Sequence, residues 1–281
     1  MNKGLKITGK VFLYTIMILF SIMIAFPIVY TVLSSFKSNM EIMAGGTIWP
    51  EEFVLDNYKQ AWKLANFKQY TWNSIYMCFF SVIGVVIAST FAGYVFARGN
   101  FPGKKAIFAV FTAMMFISFG SATLYPLLKV AKFLNINKNL WGVILITVFG
   151  VNITNIYLIR GYVLSLPYEI EEAAIIDGCS FFMVFIKVVA PLLKPIIATV
   201  AILAFKHSWN NYLMPMVFTL SNPNSRPLVV GIVALKSTGE AAASWNLMMA
   251  GTTISLVPVL AVFLFFNRYF ISGLASGAVK G

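Results

Sequence analysis

Long apolar runs separated by short polar segments dominate the chain. Six runs approach the ~20 mainly apolar residues that a helix needs to cross a bilayer core. They are Val11–Ser35, Ile75–Ala97, Ala106–Pro126, Leu140–Ile159, Pro195–Phe218 and Leu247–Phe270. Backbone groups in lipid must be bonded within their own segment, so each run is expected to be a helix. Pro27 and Pro258 fall inside two of them and predict kinks. Of the connections, residues 36–72 are polar, of mixed charge, and carry Trp49, Tyr58 and Trp62. Residues 98–105 make a short basic turn, and residues 127–139 carry Lys129, Lys132 and Lys138. Residues 219–246 are rich in Ser, Asn, Pro and Gly. Residues 160–194 differ, because they form a long connection patterned as two short amphipathic helices.

Composition agrees with the pattern. The chain is 59% hydrophobic and 11% charged, whereas average soluble proteins carry about 25% charged residues. A soluble domain of this size is excluded, and the class is an all-α polytopic membrane protein. The net charge of +12 fits anionic headgroups on the cytoplasmic side. Nucleic-acid binding has no soluble domain left to carry it. Cys78 lies in an apolar run and Cys179 in a charged loop, so neither a disulfide nor a metal site is expected. Lys3, Lys6 and Lys10 precede an apolar run too long for a signal peptide, so it reads as a retained first helix.

Both termini inside places eleven Lys/Arg on the cytoplasmic face and nine outside, with Lys206 within the fifth run. The three lysines before the first helix, against Lys37 after it, favour that orientation. The expected layout is a cytoplasmic tail 1–10, a first span 11–35, an extracytoplasmic loop 36–72, a core 73–270 and a cytoplasmic tail 271–281. The expected location is the cell membrane of a prokaryote.

The loop at 165–191 carries the most chemistry. Pro167 suits a first helical turn, since its missing N–H costs nothing there. Glu169, Glu171 and Glu172 then lie near the positive end of that helix. Ala173 and Ala174 make a narrow face, and Gly178 can turn left-handed and stop the helix. Ser180 can cap a second helix through Phe181, Phe182, Phe185 and Val188, which Pro191 ends. An amphipathic linker resting on lipid would carry basic residues on its polar face. This one has four acids within nine residues (Glu169, Glu171, Glu172, Asp177), so a protein with basic residues is the better partner.

Glu172-Ala173-Ala174, two further residues, Asp177-Gly178, then Phe185 and Pro191 resemble the EAA loop of ABC import permeases. The wider context resembles the carbohydrate branch, of the maltose-permease small-subunit type. It includes Leu55-Asp56-Asn57-Tyr58, Asn73-Ser74, Gly93-Tyr94-Val95-Phe96-Ala97-Arg98, Ser208-Trp209-Asn210-Asn211 and the tail from Gly273 to Gly281. There are departures. Ala190 and Val188 replace the usual Leu and Ile, and Lys206 and His207 stand where the family is apolar or hydroxylic.

The resemblance implies a six-helix permease core of a type I importer with cytoplasmic coupling helices. It implies a second, related permease, two ATP-binding-cassette ATPases that hold the ATP and Mg, an extracytoplasmic solute-binding protein and a sugar substrate. Glu172 would meet basic or polar groups of the ATPase. The tail Gly277, Ala278, Val279, Lys280 and Gly281 would reach between the ATPases, or else fray as a free end. The loop 219–239 would touch the binding protein.

The chain itself offers no catalytic, cofactor or metal set. Gly99…Gly103-Lys104-Lys105 is one residue short of a phosphate-binding loop and ends in Lys rather than Ser or Thr. His207 is the only histidine. Polar residues within spans are the candidates for the substrate path: Asn152, Asn155, Lys206, His207, Trp209 and Asn210. Bonding between packed helices is the commoner use of such Asn, Ser and Thr. Lys206 and His207 could favour an acidic saccharide, or Lys206 could snorkel outward. A secondary transporter would use membrane-embedded acids, but all nine acids here lie in loops.

Overall fold

The computed structural model describes residues 3–64, 66–117, 119–235 and 244–278, with side chains from residue 10 to residue 266 of these. The described residues contain helices and no strand. They form two compact units, Met1–Lys68 with Gly231–Val257 and Gln69–Val230 with Pro258–Gly281.

The first unit opens with the helix Lys3–Ser34, which continues through Pro27. None of its most apolar stretch is buried by the rest of the chain. That surface is therefore left for lipid or another subunit. The polar segment that follows folds onto itself. Lys37 is 1% exposed. Its ammonium donates to the Thr47 carbonyl (2.6 Å) and hydroxyl (2.8 Å) and lies 3.5 Å from Glu41 Oε1. Glu41 also accepts from Thr47 Oγ1 and the Glu51 amide. Burial pushes the Glu41 carboxyl up, but these hydrogen bonds and Lys37 outweigh it and hold the group below its ordinary value. Asn57 of the Leu55–Tyr58 segment is buried. It donates to the Ser35 and Lys37 carbonyls and accepts from Asn246.

In the second unit, the helix Phe67–Arg98 is unbroken over 32 residues. Just inside its start, Asn73 donates to the carbonyls of Asn224 (2.7 Å) and Arg226 (2.9 Å), and Ser74 accepts from the Leu228 amide. These bonds pin the 222–228 loop. The expected third span is not one helix. Helix Lys104–Met114 stops, a short 3-10 turn spans Gly120–Thr123, and Leu124–Phe133 resumes. Gly120 sits in the left-handed region (φ +52°), which an α-helix cannot contain. Average hydropathy does not register such a break.

The fourth run bends by 42° between Leu140–Phe149 and Ile153–Ser165. Asn152 Nδ2 holds the bend by donating to the carbonyls of Thr147 (3.0 Å) and Gly150 (2.8 Å). The fifth run ends its helix at Trp209, where the Asn210 amides bond back to Lys206 O, and the short helix Leu213–Phe218 follows. The last helix, Trp245–Ala278, passes Pro258 and runs beyond the expected Phe270. By length and composition three helices can cross a membrane, or five when the bent pairs Leu140–Ser165 and Phe181–Trp209 each count as one.

A core of Tyr94, Ile159, Val163, Val184, Val189, Leu193 and Val200 joins these helices to the 165–192 segment. Gly93 allows a close approach within this core. A Cβ there would lie 2.6 Å from Ile159 Cβ and 3.1 Å from the Arg160 backbone nitrogen.

Candidate functional site

The 165–192 segment is a two-helix arm. Pro167 precedes the first helix rather than opening it, because Tyr168 takes the capping position and the helix runs Glu169–Ile176. Its first turn holds Glu169, Glu171 and Glu172, an arrangement the helix dipole favours. The two central acids point opposite ways. Glu172 is exposed, while Glu171 is 3% exposed. Glu171 Oε1 accepts from Arg98 Nε at 2.7 Å, and Oε2 accepts from the Tyr94 hydroxyl at 3.2 Å. Ala174, three residues on, shares that buried face, and Ala173 shares the exposed one.

The helix ends as the local chemistry predicts. Gly178 has φ +85°, its amide bonds to Ile175 O, and the Cys179 amide bonds to Ala174 O, each at 3.0 Å. This pair of bonds is the Schellman stop. Ser180 Oγ then accepts from the Met183 amide and caps the next helix. That second helix does not end at Pro191. It runs Phe181–Leu192, because a π-turn at Phe185–Val189 sends the Ala190 amide to Phe185 O. The widened turn accommodates the hydrogen bond that a proline cannot make.

Phe185 faces inward, 5.0 Å from Tyr94 and 5.7 Å from Phe91. Pro191 is exposed. The arm's outer surface therefore carries Glu172, Ala173, Asp177 and Gly178, with the exposed side chains of Ile175 and Ile176 beside them. Ala174 and Phe185 anchor it from beneath. Sequence reasoning did not single out Glu171 and Arg98 as a pair. The signal that finds them is the i, i+3 spacing of Glu171 and Ala174, which puts an acid on an apolar face.

The substrate-path candidates fall into two groups. Asn152, Asn155 and His207 line one cavity of about 380 Å³, together with Thr147, Thr154 and Val85. The Asn152 amide is committed to the helix bend. Asn155 is 7% exposed and lines this cavity. Its amide brings both a donor and an acceptor to the lining. Lys206, Trp209 and Asn210 do not join them. Lys206 and Asn210 are exposed. Trp209 is buried, stacks on Phe205 at 5.5 Å, and lines a separate apolar cavity of about 490 Å³ with Phe79, Pro258 and Phe266.

Gly99…Lys105 forms a helix-capping turn. The Lys104 ammonium donates to the carbonyls of Ala97 (3.2 Å) and Gly99 (2.8 Å). Among the described residues no three His, Cys, Asp or Glu side chains gather as metal ligands. Gly277 and Ala278 end the last helix, and Val279, Lys280 and Gly281 lie outside the described residues.

Known proteins share this design. The family description "Binding-protein-dependent transport system inner membrane component" matches residues 89–276. AraQ of Halalkalibacterium halodurans, an arabinooligosaccharides transport system permease protein, is 33% identical over 91% of this chain and 91% of its own length. The probable ABC transporter permease YurM of Bacillus subtilis is 31% identical over 97% and 89%. GanQ of the same organism, a galactooligosaccharides transport system permease protein, is 30% identical over 96% and 95%. A solved bacterial ABC transporter, involved in the import of the acidic polysaccharide alginate, superposes with a TM-score of 0.79. That match covers 96% of this chain and 99% of the other at 23% identity, a likeness of fold. By sequence and fold, the chain belongs to the binding-protein-dependent transport system inner membrane components, the membrane-spanning permease subunits of ABC importers.

Proposed function

We propose that this subunit translocates an oligosaccharide, handed over by an extracytoplasmic binding protein and driven by ATP hydrolysis in two separate ATPases. A second, related permease completes the path. The observation that carries the reading is the arm. Glu172, Asp177 and two exposed isoleucines stand outward at Glu169–Gly178 on a rigid capped turn, a surface suited to a groove with basic and apolar walls. On this reading hydrolysis takes place in the partners: the Gly99–Lys105 turn lacks the Ser or Thr of a phosphate-binding loop, and its Lys104 bonds the Ala97 and Gly99 carbonyls. ATP and Mg belong to the partners. The arm and both termini face the cytoplasm, in keeping with the three lysines before the first helix. The tail from Gly277 to Gly281 reaches between the ATPases, and the loop pinned by Asn73 and Ser74 faces the binding protein.

An oligosaccharide substrate is supported by the names of the 30–33% identical relatives, arabinooligosaccharides and galactooligosaccharides permeases, and by the cavity. Its Asn155 amide, with Thr154 and His207, offers both donors and acceptors to hydroxyl groups. The test is uptake into proteoliposomes holding this chain with its related permease, ATPase and binding protein. Uptake of a neutral oligosaccharide should need both ATP and the binding protein, and Asn155→Ala should reduce it at least fivefold, the low end of what a coupling of about 1–3 kcal/mol gives. Uptake without ATP would refute the reading, and an unchanged Asn155→Ala would refute the cavity assignment. Lys206→Met separates the charge readings, since an altered preference between neutral and acidic sugars would place Lys206 in selectivity.

A further inference from the structure

Arg98 and Tyr94 lie one turn apart near the end of the Phe67–Arg98 helix, and both reach the arm. The Arg98 guanidinium holds three things at once. Nε donates to Glu171 Oε1 at 2.7 Å, and Nη2 donates to the carbonyls of Val163 (3.1 Å) and Leu166 (3.0 Å). Its plane lies 5.1 Å from the Tyr168 ring. It thus satisfies the carbonyl end of helix Ile153–Ser165 and the acid in the first turn of helix Glu169–Ile176 together. Tyr94 holds the other half of the arm. Its hydroxyl bonds Glu171 Oε2, while its ring packs on Phe181 at 4.8 Å and Phe185 at 5.0 Å.

We propose that Arg98, Tyr94 and Glu171 are the joint that carries arm movement into the Phe67–Arg98 helix, acting as positioning residues for transport. The rest of the arm's inner face is apolar, with Ala174, Val184, Val189 and Leu193 at its centre. Apolar packing is non-directional and lets surfaces slide. A buried carboxylate held by an arginine and a phenol has fixed geometry, and separating it strands a charge away from water. A pull on the first arm helix therefore drags the end of Phe67–Arg98 with it.

Gly93 ties that helix in turn to the Ile159–Arg160 backbone. The same helix lines the polar cavity through Val85, thirteen residues or about 20 Å from Arg98. The adjacent acids thus divide the work. Glu172 faces the partner and Glu171 faces the end of the Phe67–Arg98 helix. This inference rests on the arm being the ATPase-docking element.

The test uses the full complex in proteoliposomes and compares Glu171→Gln, Tyr94→Phe and Glu172→Lys. Assembly, binding-protein-stimulated ATP hydrolysis and uptake are measured on each. Glu171→Gln keeps the shape and a hydrogen bond but removes the charge, so the fold persists. The expected result is normal assembly, hydrolysis within about twofold of wild type, and uptake per ATP lowered at least fivefold, the low end of typical coupling energies. Tyr94→Phe, which removes only the weaker of the two bonds to Glu171, should lower uptake per ATP less, and the double variant should fall short of the sum of the two single effects, because both act on one carboxylate cluster. Uptake per ATP unchanged in Glu171→Gln overturns the joint. So does a fall in hydrolysis and uptake that only tracks the amount of assembled complex. An unaffected Glu172→Lys would condemn the docking reading instead, so the two failures are distinguishable.

Discussion

Replacing Gly178 tests whether the arm's turn is a backbone requirement. A Cβ at Gly178 meets nothing within 4 Å, so alanine brings no clash inside the subunit. The cost is conformational, because φ is +85°. Holding an L-residue left-handed costs about 1–2 kcal/mol. The reduced freedom of the opened chain offsets about 0.4–1 kcal/mol of this. A net of about 1 kcal/mol remains, or about fivefold in the population of the opened turn. Asparagine tolerates the left-handed region better, so Gly178→Asn should cost about half as much.

The readout is amide exchange at Cys179, whose amide bonds to Ala174 O only when the turn is closed. Exchange should rise about fivefold in Gly178→Ala and about twofold in Gly178→Asn, with the amides of 91–98 unchanged. Wild-type exchange in the alanine variant would refute the strain argument. An asparagine variant as severe as alanine would point to contact with a partner rather than to backbone strain.

Four further outcomes follow. Gly93→Ala should destabilise the subunit by about 1–3 kcal/mol, read as a lower melting temperature, because the new Cβ meets Ile159 and the Arg160 backbone. Gly161→Ala, with open space around it, should be neutral or stabilising by up to about 1 kcal/mol. In thiol labelling of the free subunit, half-buried Cys179 should react and buried Cys78 should not. Adding the ATPase should protect Cys179. The Glu41 latch is pH-dependent: its carboxyl titrates below the ordinary value of about 4.5, so its stabilisation is complete above that value and is lost as pH falls through the lowered one. Exchange at residues 47–51, corrected for intrinsic rates, should step up in acid in the wild type and not in Glu41→Gln.

Much of the arm was legible because its signals are local. Gly178 and Ser180 specify a stop and a cap through their own backbone and side-chain chemistry, and both act so. The apolar runs likewise give helices wherever nothing interrupts them, as over Phe67–Arg98 and Trp245–Ala278. The break at Gly120 was not legible, since hydropathy averages across a single left-handed residue. Pro191 misled because the π-turn that accommodates it is a feature of the packed helix, not of the proline.

The division of labour between Glu171 and Glu172 depends on Arg98, 73 residues away in the chain. Adjacent acids look alike until the fold assigns each a face. Trp209 beside Asn210 resembles a sugar platform in the sequence, but a helix rotates adjacent residues by about 100°. Trp209 is turned into an apolar cavity, and Asn210 caps the helix end.

The central claim is that the arm docks an ATPase and converts its cycle into transport. Glu172→Lys reverses the charge of an exposed residue, so folding should be little affected. Measured in proteoliposomes with the complete complex, the variant should retain partial assembly with the ATPase and lose ATP-driven oligosaccharide uptake. Uptake at the wild-type rate would contradict the account.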